Sequence, residues 1–204
     1  LKSFDSLKLD LIITDDNSSI ENLKKIKDIL AKASFKTSII NIQKNEFDDE
    51  IKKEDENGKN ISPNMISNMR NIYKSLILTR ESVDDLVYFL EDDYINHNDS
   101  IIEMLLTYEK ISSQLNREIF ICPADYPYLY TNIENSKIFI GHKRHWRTVN
   151  ESLITFLTSK KMILRYWDDL MTMATLRHHP MEKKLHEIYE KEYCLSPIPS
   201  LAMH

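Results

Sequence analysis

Short apolar runs alternate with amphipathic stretches along the first half of the chain. Residues 9–14 (LDLIIT) are almost continuously apolar and stop at Asp15-Asp16-Asn17-Ser18, which predicts a strand buried on both faces and ended by turn residues. Ser18 and Glu21 then predict a capping box, and Ile20, Leu23, Ile26, Leu30 and Ala33 recur at helical spacing. The β-branched run 37–42 predicts a second strand, and the charged stretch 44–60 a surface loop with some helix. Ser62-Pro63 predicts an N-cap and first-turn proline for a helix through Met65, Met69, Ile72, Tyr73 and Leu76. Residues 85–90 (DLVYFL) predict a strand that runs directly into Glu91-Asp92-Asp93. Ser100 and Glu103 predict another capping box, opening a helix through Leu105, Tyr108 and Leu115.

The second half has shorter runs. Strands are predicted at 118–122, 138–140 and 152–156, helices at 160–164, 168–177 and 182–192, and a loop-like tail at 196–204. Strand and helix alternate as in an α/β fold, which predicts three α/β/α layers around a mostly parallel central sheet. Ligands of such sheets bind beyond the carboxyl ends of the strands, so Asp15-Asp16 and Glu91-Asp92-Asp93 are expected to share one crevice.

Composition narrows the chemistry. With 204 residues, 42% of them hydrophobic, the chain is long enough for one substantial core and short for two, so a single domain is expected. Its net charge of -5, without a basic block, excludes a nucleic-acid-binding surface. Cys122 and Cys194 have no metal-ligand or disulfide spacing and fit a reducing cytoplasm. The only glycines, Gly58 and Gly141, exclude a Walker loop and a glycine-rich dinucleotide turn. A nucleotide would have to be held another way.

Three consecutive carboxylates at a strand end repel one another, and a divalent cation with hard-oxygen preference, Mg2+ or Mn2+, would remove that cost. Capping of the next helix, or plain solvation, is the competing explanation for such a triplet.

Taken together, the stretch 11–19 (LIITDDNSS) and the stretch 87–93 (VYFLEDD) resemble the nucleotide-binding strand and the DxD-type motif of GT-A glycosyltransferases, especially family 2. The resemblance covers nearly the whole chain and implies a nucleotide-binding half (1–117) and an acceptor-binding half (118–204). It also implies a first strand and helix that would precede Leu9. By this resemblance Asp16, with Asp15 as the less favoured partner, accepts a hydrogen bond from the base of a nucleotide-sugar donor. Asp92 and Glu91 bind the ribose, and Asp93 ligates Mn2+ or Mg2+ on the diphosphate, with His204 as a further metal ligand.

Inverting transfer needs a general base for the acceptor hydroxyl. The resemblance puts it at Asp169 or Asp168, although an N-cap with a first-turn acid explains both residues equally. Asp125 is expected on a donor-sugar hydroxyl. His145 and Arg147, within the donor-rich stretch around Trp146, are expected on diphosphate or an anionic acceptor, with a solvated basic turn as the alternative for Lys143 and Arg144. Tyr126, Tyr128 and Tyr130 suit either an acceptor platform or the core. His178, His179 and His186 read as helix-surface residues.

The expected activity is therefore metal-dependent transfer of a sugar to a glycan or lipid-linked acceptor. The aromatic and basic loops admit a peripheral contact with the inner face of the membrane. A sugar nucleotidyltransferase and a non-catalytic domain with the same fold are the rival expectations.

Overall fold

The computed structural model describes residues 8–131 and 135–204. The first apolar run forms β1 (Asp10–Asp15), which lies parallel to β2 (Lys36–Asn41), with α1 (Ile20–Leu30) as the crossover. The cap of α1 is Ser19, whose hydroxyl accepts from the Asn22 N–H at 3.2 Å, one residue beyond the predicted Ser18. Ser62 caps α2 (Pro63–Ser82) as its pattern predicts, accepting from the Met65 N–H at 3.3 Å with Pro63 in the first turn. Met69, Ile72 and Leu76 of α2 are buried.

The chain continues through β3 (Leu86–Phe89), β4 (Ile95–Asn96), α3 (Ser100–Leu115), β5 (Phe120–Ile121), a 3-10 turn (Pro127–Tyr130), β6 (Ile138–Ile140) and β7 (His145–Val149). It ends with β8 (Phe156–Ser159), α4 (Lys160–Arg165), α5 (Trp167–Thr175), α6 (Lys183–Tyr189), β9 (Cys194–Ile198) and β10 (Ala202–Met203). The tail expected as loop thus carries two strands.

Six strands form a central sheet in the order β3-β8-β5-β9-β7-β6. The sheet is mixed rather than mostly parallel: among the described residues β5–β9 is its one parallel pairing, and β3–β8, β5–β8, β7–β9 and β6–β7 are antiparallel. Parallel neighbours need long crossovers, whereas β6 and β7 are joined by the tight link 141–144, which enforces an antiparallel pair. Because β3 pairs with β8, the sheet runs continuously across the 1–117 and 118–204 halves.

Helices cover both faces of this sheet, and the alternation of side chains shows how. Phe120, Phe156 and Cys194 join one cluster with residues of α2, α4, α5 and α6. Their neighbours Ile121, Leu157 and Leu195 join a second cluster with Met104, Tyr108 and Ile111 of α3. The molecule is an α/β protein with a mixed central sheet.

Strand direction sets which residues meet. Thr14 lies against Ser75 (3.4 Å) and the Asp16 carbonyl accepts from Ser67, so β1 runs antiparallel to α2. A short turn after α2 leads into β3, which therefore points the same way as β1. β3, β5 and β9 share one direction through their pairings, placing Asp16, Glu91, Asp125 and Ser200 at a common end of the molecule.

Two features break the pattern of a closed sheet. Among the described residues β1 pairs with β2 alone and β3 with β8 alone, leaving an open edge on each. α1, amphipathic in sequence, buries none of its residues, and Ile20 and Ile29 are exposed. No helix among the described residues is long and apolar enough to cross a membrane.

Candidate functional site

The antiparallel pairing of β10 with β4 sets Ala202 against Asn96 and Met203 against Ile95. One further step of that register sets His204 beside Tyr94, and their rings lie 5.0 Å apart. The imidazole Nε2 then reaches Asp93, 3.2 Å from Oδ2. Both side chains remain largely exposed, so a ligand can reach them. Tyr94 is the buried anchor of the arrangement: its hydroxyl bonds that of Tyr126, and Tyr126 stacks on Tyr128 with ring centres 5.4 Å apart.

Glu91 is held by a two-bond clasp. Its backbone N–H donates to the Thr155 hydroxyl at 3.1 Å, and that hydroxyl lies 3.1 Å from the Glu91 carboxylate. Burial pushes the Glu91 carboxyl up from its ordinary value, the Thr155 hydroxyl pulls it down, and the charges of Asp93 and Glu182 add to the rise. Asp92, between them, is exposed. Of the acidic triplet, therefore, Asp93 meets an imidazole, Glu91 is clamped against the sheet, and Asp92 faces solvent.

Asp15 and Asp16 stand at the same end of the molecule. Asn17, with φ 75°, turns the chain away after them in the left-handed conformation that Asn tolerates. The Asp16 carboxylate is 3.4 Å from Nη1 of Arg70, whose other terminal nitrogen bonds Asp48. Arg70, not singled out by sequence, thereby ties the end of β1 to the loop that follows β2. A donor base meeting Asp16 would meet a carboxylate already facing a guanidinium.

Asp125 and Arg147 are brought together, but with each other. Arg147 donates from Nε and Nη2 to Asp125 Oδ1 at 3.1 and 2.8 Å, Tyr130 donates to Oδ2, and the guanidinium sits 4.3 Å from the Tyr130 ring centre. Arg147 is buried, so this pair reads first as a structural clamp. His145, exposed at the start of β7 opposite Ile198, lies on the rim of the same end.

Asp168 and Asp169 lie elsewhere. Trp167 packs under Arg80 near the carboxyl end of α2, and Tyr166 bonds Glu192 just ahead of β9. Both contacts belong to the amino-terminal end of the sheet, so the structure does not bring these two acids to Asp93. Two open hollows of about 450 and 340 Å³ also lie at that end, around Arg117. There Arg117 and Arg165 pair with Glu192, and Lys161 with Glu118.

Other acids and histidines depart from their sequence reading. Glu103 does not close a capping box: it is buried and accepts from the backbone N–H groups of Lys143 (3.0 Å) and Arg144 (3.2 Å) and from Trp146 Nε1 (3.4 Å). The supposed basic turn is thus a loop wrapped on a carboxylate, while Ser100 donates to the His97 and Leu201 carbonyls. His178 and His179 are in the α5–α6 connection rather than on a helix surface. His178 Nδ1 lies 3.1 Å from Glu56 and His179 Nε2 lies 2.8 Å from Asp55.

Glu182, not singled out by sequence, is half-buried just ahead of α6, and its charge adds to the rise of both Glu91 and Tyr128. No protein-family model matches the chain, and no curated protein matches it.

Proposed function

We propose that the chain is a metal-dependent glycosyltransferase with a GT-A-type arrangement, moving a sugar from a nucleotide-diphosphate donor to a glycan or lipid-linked acceptor with inversion. The observation that carries this reading is the Asp93–His204 pair, 3.2 Å apart at the carboxyl end of the sheet and open to solvent. One carboxylate oxygen and one imidazole suit Mn2+, and Mg2+ less well through its preference for oxygen.

Among the described residues no group of three or more His, Cys, Asp and Glu could hold a metal by itself. Two protein ligands fit an ion that takes its remaining ligands from a diphosphate and water. Bound there, the metal would neutralise the developing charge on the leaving diphosphate, which agrees with the scarcity of glycine. Asp92 is the exposed group offered to the ribose, Asp16 would meet a base from beside Arg70, and Thr155 holds the Glu91 carboxylate.

The test is a thermal-shift panel of UDP-, GDP-, CDP- and dTDP-sugars with and without Mn2+. One donor should raise the melting temperature only with the metal, since a ligand that binds the native state alone stabilises it. A panel without any metal-dependent response would sink the proposal.

A further inference from the structure

We infer that Ser200 is a positioning residue for the metal ligand His204, its hydroxyl passing the placement of the Asp125–Arg147 clamp on to the candidate metal position; this rests on the metal-dependent glycosyltransferase reading above.

An exposed imidazole shares an ion with Asp93 only if the backbone beneath it is held to a fraction of an ångström. β10 cannot do this alone. It is two residues long and pairs with the two residues of β4, and so short a ribbon does not hold its own register. The bonds that fix it lie just ahead, in the strap 199–201. Arg144 donates to the Pro199 carbonyl at 3.2 Å. The Leu201 N–H donates to the Pro123 carbonyl at 2.9 Å, and the Leu201 carbonyl accepts from the His97 N–H at 2.8 Å and from the Ser100 hydroxyl at 2.9 Å.

Those bonds attach the strap to its surroundings. Ser200 alone among them works in two directions: its hydroxyl accepts from the Asp125 N–H at 3.0 Å and donates to the Ala202 carbonyl at 2.6 Å. A hydroxyl has one proton and two lone pairs, so both bonds form at once. The donated bond closes a turn over Leu201 and sets the direction in which β10 leaves towards His204. The accepted bond refers that direction to the backbone of Asp125.

Asp125 is itself immobilised. Arg147 grips its carboxylate through two nitrogens, Tyr130 donates to the other oxygen, and the buried Ser196 hydroxyl donates to the preceding carbonyl, that of Ala124, at 2.9 Å. A continuous series of bonds therefore leads from the buried guanidinium through Asp125 and Ser200 to Ala202, two residues from the imidazole. Removing the Ser200 hydroxyl strips a partner from the Asp125 N–H and from the Ala202 carbonyl, both in partly or fully buried residues. The Leu201 bonds remain, so the strap stays attached while its last residues lose their direction. Metal affinity falls; the fold does not.

The experiment uses the full chain, unmodified and as S200A, S200T, H204A and S200A/H204A. Each is titrated with Mn2+ at a fixed concentration of the nucleotide sugar that gives the largest shift in the panel. The Mn2+ concentration giving half of the stabilisation should rise about 10–100-fold in S200A, the range for losing a group that orients a metal ligand. S200T, which restores the hydroxyl, should recover it. S200A should add nothing in the H204A background, because it acts through that imidazole. Without metal, amide hydrogen exchange should quicken across 202–204 in S200A and stay unchanged in α2. An unmoved Mn2+ midpoint in S200A, a loss that S200T does not recover, a further loss in S200A/H204A, or unaltered exchange across 202–204 would overturn the assignment and leave the glycosyltransferase reading in place. If the unmodified chain shows no metal-dependent shift with any nucleotide sugar, that reading has failed, and the assignment of Ser200 to a metal site fails with it.

Discussion

Asp93 Oδ2 and His204 Nε2 stand 3.2 Å apart although 111 residues separate them, because the β4–β10 register places the end of one strand against the start of the other. If the pair holds Mn2+, D93N and H204A should each weaken the metal-dependent stabilisation by nucleotide sugar by at least about tenfold in metal concentration, the scale set by losing one ligand-shell partner. Melting temperature against added Mn2+ at fixed nucleotide sugar measures it. Unchanged titrations in both variants would remove the metal from this position.

Gly141 has no room for a side chain: a Cβ there would lie 2.6 Å from Thr107 Oγ1 and closer still to Trp146 Nε1. G141A should therefore destabilise the fold by about 1–3 kcal/mol through overpacking against a buried indole. Urea unfolding with an unchanged slope and a lower midpoint is the expected result.

The Arg147–Asp125 pair offers a stability test that separates clamp from substrate contact. R147M should cost roughly 3–5 kcal/mol by leaving Asp125 without its guanidinium, and D125N/R147M should cost less than the two single losses added. Donor affinity in D125N, read from the thermal-shift titration, decides whether the carboxylate also meets sugar.

Acid should loosen the loop after β2. The Lys59 N–H, followed by the His179 ring, holds the Asp55 carboxyl at about 2, and the His178 ring and the Lys183 ammonium hold that of Glu56 at about 2. Both folded values are depressed, so this stabilisation is complete above the unfolded carboxyl values near 4 and is lost as pH falls from there towards 2. Urea midpoints between pH 5 and pH 2.5 should fall less steeply in D55N/E56Q than in the unmodified chain.

Much of the architecture could be read locally. Ser62-Pro63 named the start of α2, and the run 85–90 named β3, because a cap and an apolar strand are short-range signals. Sheet direction could not be read that way. β8 runs opposite to its neighbours on both sides, and it is this reversal that carries the chain to the far end of the sheet before α5 begins. Trp167-Asp168-Asp169 therefore opens its helix at the end of the sheet away from Asp93. Glu103 was misread as half of a capping box for a related reason, since an acid three residues after a serine fits that pattern until a distant loop closes over it. The proximity of Asp93 and His204 was suggested by resemblance, not by spacing.

The open edges of β1 and β3 bear on how the protein behaves in a tube. Among the described residues each lacks a strand partner on one side, next to partly exposed apolar side chains such as Ile12 and Leu90. Such edges recruit other strands, including those of neighbouring copies. Yield and shelf life should accordingly fall with concentration well below the denaturation temperature, and lysine placed at an outward-facing edge position would be a sounder remedy than a tighter core.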